Sequence, residues 1–168
     1  CKPLDYIFRA FTILGDGLFI IGLAVILFIF RKRFLSLMII AAYGLSGIPV
    51  QIIKSFFDAP RPALFLKGLN YSHFVEGVTL HNYNSFPSGH TASAFALAVI
   101  LAVGVKNKRY GLLFLCLAAL VGYSRIYLSQ HFMEDVLVGS LIGVLTGVAT
   151  YLFLEKWIRK MTEKEKSG

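Results

Sequence analysis

The residues of this sequence that most clearly suggest catalytic chemistry are a histidine and an aspartate four positions apart, His131 and Asp135. On a helix, that spacing places both side chains on the same face. A carboxylate hydrogen-bonded to one imidazole nitrogen fixes the tautomer and makes the other nitrogen a better nucleophile. The pair therefore predicts an activated nucleophile, His131, that is oriented by Asp135. Taken alone, such a pair can equally be structural.

A second segment, "PSGH", places Ser88, Gly89 and His90 at the expected N-terminus of a helix. Unpaired backbone N–H groups and the helix dipole favour an anion there. Pro87 loses no needed donor at this position, and Gly89 lets the backbone approach a ligand without a side chain in the way. Ser88 adds a hydroxyl donor, and His90 adds a transferable proton. The alternative is a capped helix with a spare histidine.

Long apolar runs must position these residues. Of the 168 residues, 57% are hydrophobic and only 15% are charged, and the mean hydropathy is +0.69, whereas a soluble domain carries about 25% charged residues. The longest runs are sufficient to cross a hydrocarbon core of roughly 30 Å. We predict five spans, near residues 10–30, 34–54, 88–105, 110–128 and 135–155. Short turns between them indicate antiparallel neighbours, so the sequence predicts an all-α integral membrane bundle, a single domain over residues 1–168.

Basic residues cluster in the turns between the predicted spans. Residues 31–33, 106–109 and 156–166 hold eleven of the seventeen lysines and arginines, and these groups fall on one side of the membrane. The positive-inside rule makes that side cytoplasmic. The chemical residues then lie at the outer edge, so we expect a bacterial plasma-membrane protein with an extracytoplasmic site. This distribution explains the net charge of +8, and no nucleic-acid partner is predicted.

Three cations also fall at this outer edge: Lys54 and Arg61 in "KSFFDAPRP", and Arg125 in "SRIYLSQHFMED". Charged side chains at the rim of a bilayer are costly and tend to be functional. A guanidinium fork suits a tetrahedral oxyanion, which favours an anion site that includes Arg125. For Lys54 and Arg61, the alternative is snorkelling to the membrane surface.

The long connection 55–86 is the exception to the short turns. Long loops in compact domains tend to be functional, and we expect one or two interfacial helices here that could gate the lateral access of a lipid. His73, Glu76 and His81 lie in this connection, but their spacing fits no strong metal pattern, so no metal is predicted.

Other polar or small residues receive structural predictions. Asp16 is expected to cap a helix or to lie at the interface, and Cys116 is expected to be a small buried hydrophobe. Gly139, Gly143 and Gly147 share one helix face, which predicts close helix packing.

The motifs "K-x6-RP", "PSGH" and "SR-x5-H-x3-D" together resemble the three-part signature of the type 2 phosphatidic acid phosphatase superfamily, which includes the vanadium haloperoxidases. All three parts occur in order between residues 54 and 135, and their eleven fixed positions agree without departure. The family typically has a core of six helices, so the resemblance implies that a first helix is missing from the five predicted here.

The resemblance also implies residue roles. His131 would attack phosphorus and form a phosphohistidine, with Asp135 orienting it. His90 would protonate the leaving oxygen and then activate water. The non-bridging oxygens would be bound by Lys54, Arg61, Ser88, Gly89 and Arg125. No metal or other cofactor is implied.

Three functions remain open. The leading one is a lipid phosphatase that acts on a polyprenyl diphosphate, phosphatidate, phosphatidylglycerol phosphate or the 1-phosphate of lipid A. The second is a vanadate-dependent haloperoxidase, and the third is a non-catalytic lipid transporter or scaffold. The expected partners are the lipid phosphate and the surrounding membrane lipids.

Overall fold

The computed structural model describes residues 2–69, 74–107 and 109–167, with side chains described as far as residue 157. This part of the chain is helical and contains no strand, which confirms the all-α prediction. The helices are α1 (Lys2–Ile13), α2 (Gly17–Ile29), α3 (Arg33–Phe56), α4 (Pro62–Gly68), α5 (Gly89–Gly104), α6 (Arg109–Tyr127) and α7 (Met133–Ser167).

Within the described residues, three helices are long and apolar enough to cross a membrane: α3, α6 and the part of α7 from Met133 to Trp157. A fourth span is possible if α1 and α2 are counted together, although they are bent by 57° at their junction. α5 is also apolar but has only 16 residues.

The first span was predicted as one helix over residues 10–30. This prediction was wrong, because α1 ends at Ile13 and α2 begins only at Gly17. Asp16 causes part of the break: its backbone is extended, and its Oδ1 accepts a hydrogen bond of 2.8 Å from the amide of Leu18, capping α2 as predicted. Gly15 permits close packing there, since a Cβ on it would lie 2.6 Å from the carbonyl oxygen of His90.

α5 lies at the centre and packs against α3, α6 and α7. The three glycines of α7 face it: a Cβ on Gly139 would lie 2.5 Å from the carbonyl oxygen of Ser88, and one on Gly147 would lie 2.9 Å from Cβ of Val99. A Cβ on Gly143 would collide with the carbonyl of Ala92. The predicted packing role of these glycines is confirmed.

Cys116 is exposed rather than buried, so that prediction was wrong. α6 is apolar around its whole circumference, and its buried face is formed by other residues, among them Ala118, Val121 and Gly122. Cys116 lies on the opposite side, where a membrane helix can expose apolar side chains to lipid.

The connection between α3 and α5 folds back on itself. The amide of Arg61 donates to the carbonyl of Asn82 at 2.7 Å, and the amide of Ser85 donates to that of Ala59 at 3.0 Å. One short helix, α4, lies between these contacts, and its location at the membrane interface stays a prediction. His73 lies outside the described residues.

Candidate active site

The predicted nucleophile and its carboxylate are in contact. Nδ1 of His131 lies 3.2 Å from Oδ2 of Asp135, and both residues are only 2% exposed. The same carboxylate oxygen accepts a hydrogen bond from the amide of Phe132 at 2.9 Å and one from the hydroxyl of Ser85. Because Nδ1 is engaged by the carboxylate, Nε2 of His131 is the nitrogen left for a reacting group.

The surroundings of His131 keep its imidazole neutral. Burial lowers the pKa of His131 to about 4; the hydrogen bond with Asp135 opposes this shift, and the positive charges of Arg125 and Arg61 add to it. A neutral imidazole has a free lone pair, so His131 is in the state that a nucleophile needs at neutral pH.

The short loop after α6 returns His131 to the end of that helix. The carbonyl of Arg125 accepts hydrogen bonds from the amide of Gln130 at 2.9 Å and from that of His131 at 3.2 Å. Ser129 adopts a left-handed conformation, with φ at 54°, as the chain turns. The six-residue separation between Arg125 and His131 in the third motif is therefore the length of chain that this turn requires.

Arg125 is buried and only partly satisfied. Its Nη1 donates to Oγ1 of Thr12 at 2.7 Å. Its Nε is buried without a hydrogen-bond partner among the described residues. An unpaired buried guanidinium nitrogen is costly, and an anion bound at this position would satisfy it.

Arg61 is held in place by carbonyl and amide oxygens. Its Nε donates to the carbonyl of Tyr83 at 2.9 Å and its Nη1 to Oε1 of Gln130 at 3.0 Å. The carbonyl of Asn84 accepts from both Nη2 of Arg61, at 3.3 Å, and Nζ of Lys54, at 2.7 Å. The two cations of the first motif therefore meet at one carbonyl oxygen.

Ser88 caps α5 and ties the second motif to the third. Its Oγ accepts from the amide of Thr91 at 3.4 Å, and its own amide donates to the carbonyl of Asp135 at 3.0 Å. The space beside Gly89 is open: a Cβ there would contact only Val50 within 4 Å, at 3.7 Å. This space leaves room for a ligand at the start of α5, and the binding role of Gly89 stays a prediction.

His90 faces the junction of α1 and α2. Its Nε2 lies 3.6 Å from Oδ2 of Asp16, and the two side chains are 34% and 43% exposed. The bent α1–α2 pair therefore makes two contacts with the site: Asp16 contacts His90, and Thr12 accepts a hydrogen bond from Arg125.

The structure brings all three motifs to one end of the bundle. Sequence reasoning missed two buried residues that hold them together. Ser85 binds Asp135, and Gln130 links Arg61 to the carbonyl of Thr79, to which its Nε2 donates at 3.0 Å. Their position beside the motifs is the only signal that could have found them.

Within the described ranges, no three His, Cys, Asp or Glu side chains are grouped as a metal site requires. His73 lies outside these ranges, so the predicted absence of a metal stays a prediction.

Comparison with known proteins identifies the family. The model of the PAP2 superfamily matches residues 34–159, and the chain belongs to this superfamily. The motifs had predicted this membership.

Two curated relatives are similar over most of this chain. The lipid A 4'-phosphatase of Porphyromonas gingivalis is 32% identical over 139 residues, which are 79% of this chain and 58% of that protein. Phosphatidylglycerophosphatase B of Bacillus subtilis is 28% identical over 174 residues, 96% of this chain and 80% of the relative. The chain spans less than two thirds of the first relative, and only 18% of the lipid A 1-phosphatase of P. gingivalis. The names of these relatives agree with the predicted class of enzyme.

Two solved structures share the fold. The crystal structure of Aquifex aeolicus LpxE superimposes with a TM-score of 0.75 at 38% identity, covering 90% of this chain and 87% of the other. That of the PAP2-type phosphatidylglycerolphosphate phosphatase from B. subtilis gives 0.73 at 30% identity, covering 91% and 77%. The latter is described as transmembrane, and together with the apolar helices it supports an integral membrane protein.

Proposed function

We propose that this chain is a metal-independent phosphatase that removes a terminal phosphate from a membrane lipid through a phosphohistidine intermediate. One observation carries the proposal: His131, a buried imidazole oriented by a carboxylate, is hydrogen-bonded through its backbone to Arg125, whose buried Nε has no partner among the described residues. The phosphatase names of the relatives support the same chemistry.

In the first step, Nε2 of His131 attacks phosphorus, and the bond from phosphorus to the lipid oxygen breaks. His90 gives its proton to that oxygen, so the lipid leaves as a neutral alcohol or as a phosphate ester. The non-bridging oxygens are bound by Lys54, Arg61, Arg125, Ser88 and the amide of Gly89.

In the second step, neutral His90 takes a proton from water, and the water oxygen attacks the phosphohistidine. The phosphorus–nitrogen bond breaks, which returns His131 to its neutral form and releases phosphate. At an effective dielectric constant of about 20, each cation roughly 4 Å from a unit negative charge contributes about 4 kcal/mol. The part of this energy that is larger in the transition state accelerates the reaction.

The proposal includes five spans: the bent α1–α2 pair, α3, α5, α6 and α7. The short α5 is sufficient as a span if its ends lie within protein. Residues 31–33 are exposed at the end opposite to the site, and a cytoplasmic location for them puts the site on the outer face of a bacterial plasma membrane.

The proposed substrates are lipids with a terminal phosphate: a polyprenyl diphosphate, phosphatidate, phosphatidylglycerol phosphate or the 1-phosphate of lipid A. A test is to incubate the purified protein in detergent with this panel and to measure inorganic phosphate. We expect release from at least one of them, an unchanged rate in excess EDTA, and inhibition by vanadate, which mimics five-coordinate phosphorus.

Strong inhibition by EDTA would contradict the metal-independent mechanism, and complete insensitivity to vanadate would count against this anion site. Bromide oxidation with added vanadate, without phosphate release from any lipid, would favour the haloperoxidase alternative instead.

A further inference from the structure

An apolar groove with a cavity volume of about 120 Å³ lies between α2, α5 and α6. Its lining consists of apolar side chains only. Among them are Leu14, Ala94, Ala98, Leu101, Phe114 and Val121. The mechanism described above uses none of these residues.

The groove exists because the two halves of the bent helix pair rest on different neighbours. α1 packs on α6, where the ring of Phe8 lies 5.2 Å from that of Tyr123 and 4.4 Å from that of Tyr127. α2 packs on α3, where the hydroxyl of Ser36 donates to the carbonyl of Ala24 at 2.7 Å. The 57° bend thus leaves a space between α2 and α6, with α5 as its floor.

The floor of the groove is continuous with the site. Ala94 lies one helical turn after His90, and Ala98 lies one turn further along the same face of α5. At the other edge, Leu14 precedes Gly15, whose added Cβ would lie 2.6 Å from the carbonyl of His90 and 2.7 Å from the side chain of Val121. The groove therefore begins directly beneath His90.

The chemistry of the reaction determines what lies on that side. In an in-line displacement, the leaving oxygen is opposite the attacking nitrogen of His131 and next to the proton donor, His90. The hydrocarbon of the leaving lipid must therefore start beside His90. Resting on the proposed function, we infer that this groove binds one hydrocarbon chain of the substrate and thereby selects for chain length.

The length of the groove suits one hydrocarbon chain, because the floor from Ala94 to Leu101 is about 10 Å long at ~1.5 Å per residue. Each methylene buried there is expected to raise kcat/KM about fourfold, until the groove is filled and the increase stops.

The test uses a series of n-alkyl phosphates of increasing length, with p-nitrophenyl phosphate as a substrate without an alkyl tail. The variant Ala98→Phe fills the groove, and Ala119→Phe is the matched control because Ala119 is exposed on α6 and does not line it. We expect Ala98→Phe to lower kcat/KM at least tenfold for the long chains and less than twofold for p-nitrophenyl phosphate. The control should resemble the wild type.

A second variant, Phe114→Ala, enlarges the groove and should move the plateau to longer chains, which keeps the proposal testable if Ala98→Phe does not fold. Equal losses for tailed and tailless substrates, or an unmoved plateau, would overturn the groove assignment. If the wild type released no phosphate from any substrate, the proposed function itself would fail. Release without dependence on chain length would refute only the groove.

A separate observation, the contact of 3.6 Å between Asp16 and His90, points to Asp16 as a positioning residue for the proton donor. Arg125 on α6, Arg61 in the loop before α4 and His131 before α7 also act on His90 electrostatically. The two arginines oppose an imidazolium, whereas a carboxylate this close favours it. Asp16 therefore stabilises the imidazolium form of His90 against burial and the two arginines, which disfavour it.

The variant Asp16→Asn separates this role from capping, because asparagine caps a helix as well as aspartate does. We expect the alkaline limb of the pH–rate profile for alkyl phosphates to move down by at least about 0.5 pH unit. Asp5→Asn is the control, since the carboxylate of Asp5 instead accepts a hydrogen bond from Tyr127. An equal loss of rate at every pH, or a profile identical to that of the control, would overturn the assignment.

Discussion

Replacing His131 with alanine is expected to lower phosphate release at least ~10³-fold, because the variant lacks the atom that forms the bond to phosphorus. Asp135 orients only the imidazole of His131, so we expect no neighbouring group to act as the nucleophile in its place. His81→Ala is the matched control: His81 is an exposed histidine in the long connection, and its loss should change the rate less than twofold.

The phosphoenzyme gives a direct measurement. A substrate labelled in its phosphate should transfer label to the wild-type protein on rapid denaturation, and the bond should be labile to acid and stable to base, as a phosphohistidine is. His131→Ala should take up no label. Full turnover by a folded His131→Ala protein would refute the assignment of the nucleophile.

Replacing His90 with alanine is expected to have the second-largest effect, and a selective one. An alkoxide leaving group needs a proton, so hydrolysis of alkyl phosphates should fall by about 10²–10⁴-fold. p-Nitrophenolate is stable without one, so the first step with p-nitrophenyl phosphate should be nearly unchanged. Water would then lack its general base, and the phosphoenzyme would accumulate.

The measurement is a rapid-mixing assay with p-nitrophenyl phosphate. The variant should release a burst of p-nitrophenolate equal to the enzyme concentration, followed by a slow phase, and labelled protein should build up. The wild type, whose second step is catalysed, is the reference. Equal losses with both leaving groups and no burst would mean that His90 supports the structure only.

The candidate site residues could be selected from the sequence because each motif is short and each residue type has few plausible roles at its position. Their assembly depends on contacts that no local pattern encodes. Ser85 reaches Asp135 across 50 positions of sequence, and Thr12 reaches Arg125 across 113. Such pairs form only when the helices pack.

Two predictions were wrong, for different reasons. Hydropathy is averaged over many residues, so the short interruption at Gly15 and Asp16 did not interrupt the apolar run. The orientation of Cys116 could not be read because α6 is apolar on every side, and a helix without a polar face gives no direction to its residues. Membrane helices lose this signal generally, since lipid and protein interior are equally apolar.

The contact between α5 and α7 has a mechanical consequence. Gly139, Gly143 and Gly147 bring the two backbones together. The proposed proton donor, His90, lies at the start of α5, and Asp135 lies at the start of α7. We expect the pair to behave as a stiff frame that keeps the reacting groups aligned when the bilayer fluctuates. Any widening that admits a bulky lipid is then expected at the bent α1–α2 pair. Because this pair contacts His90 through Asp16 and Arg125 through Thr12, such a movement would also act on the reacting groups.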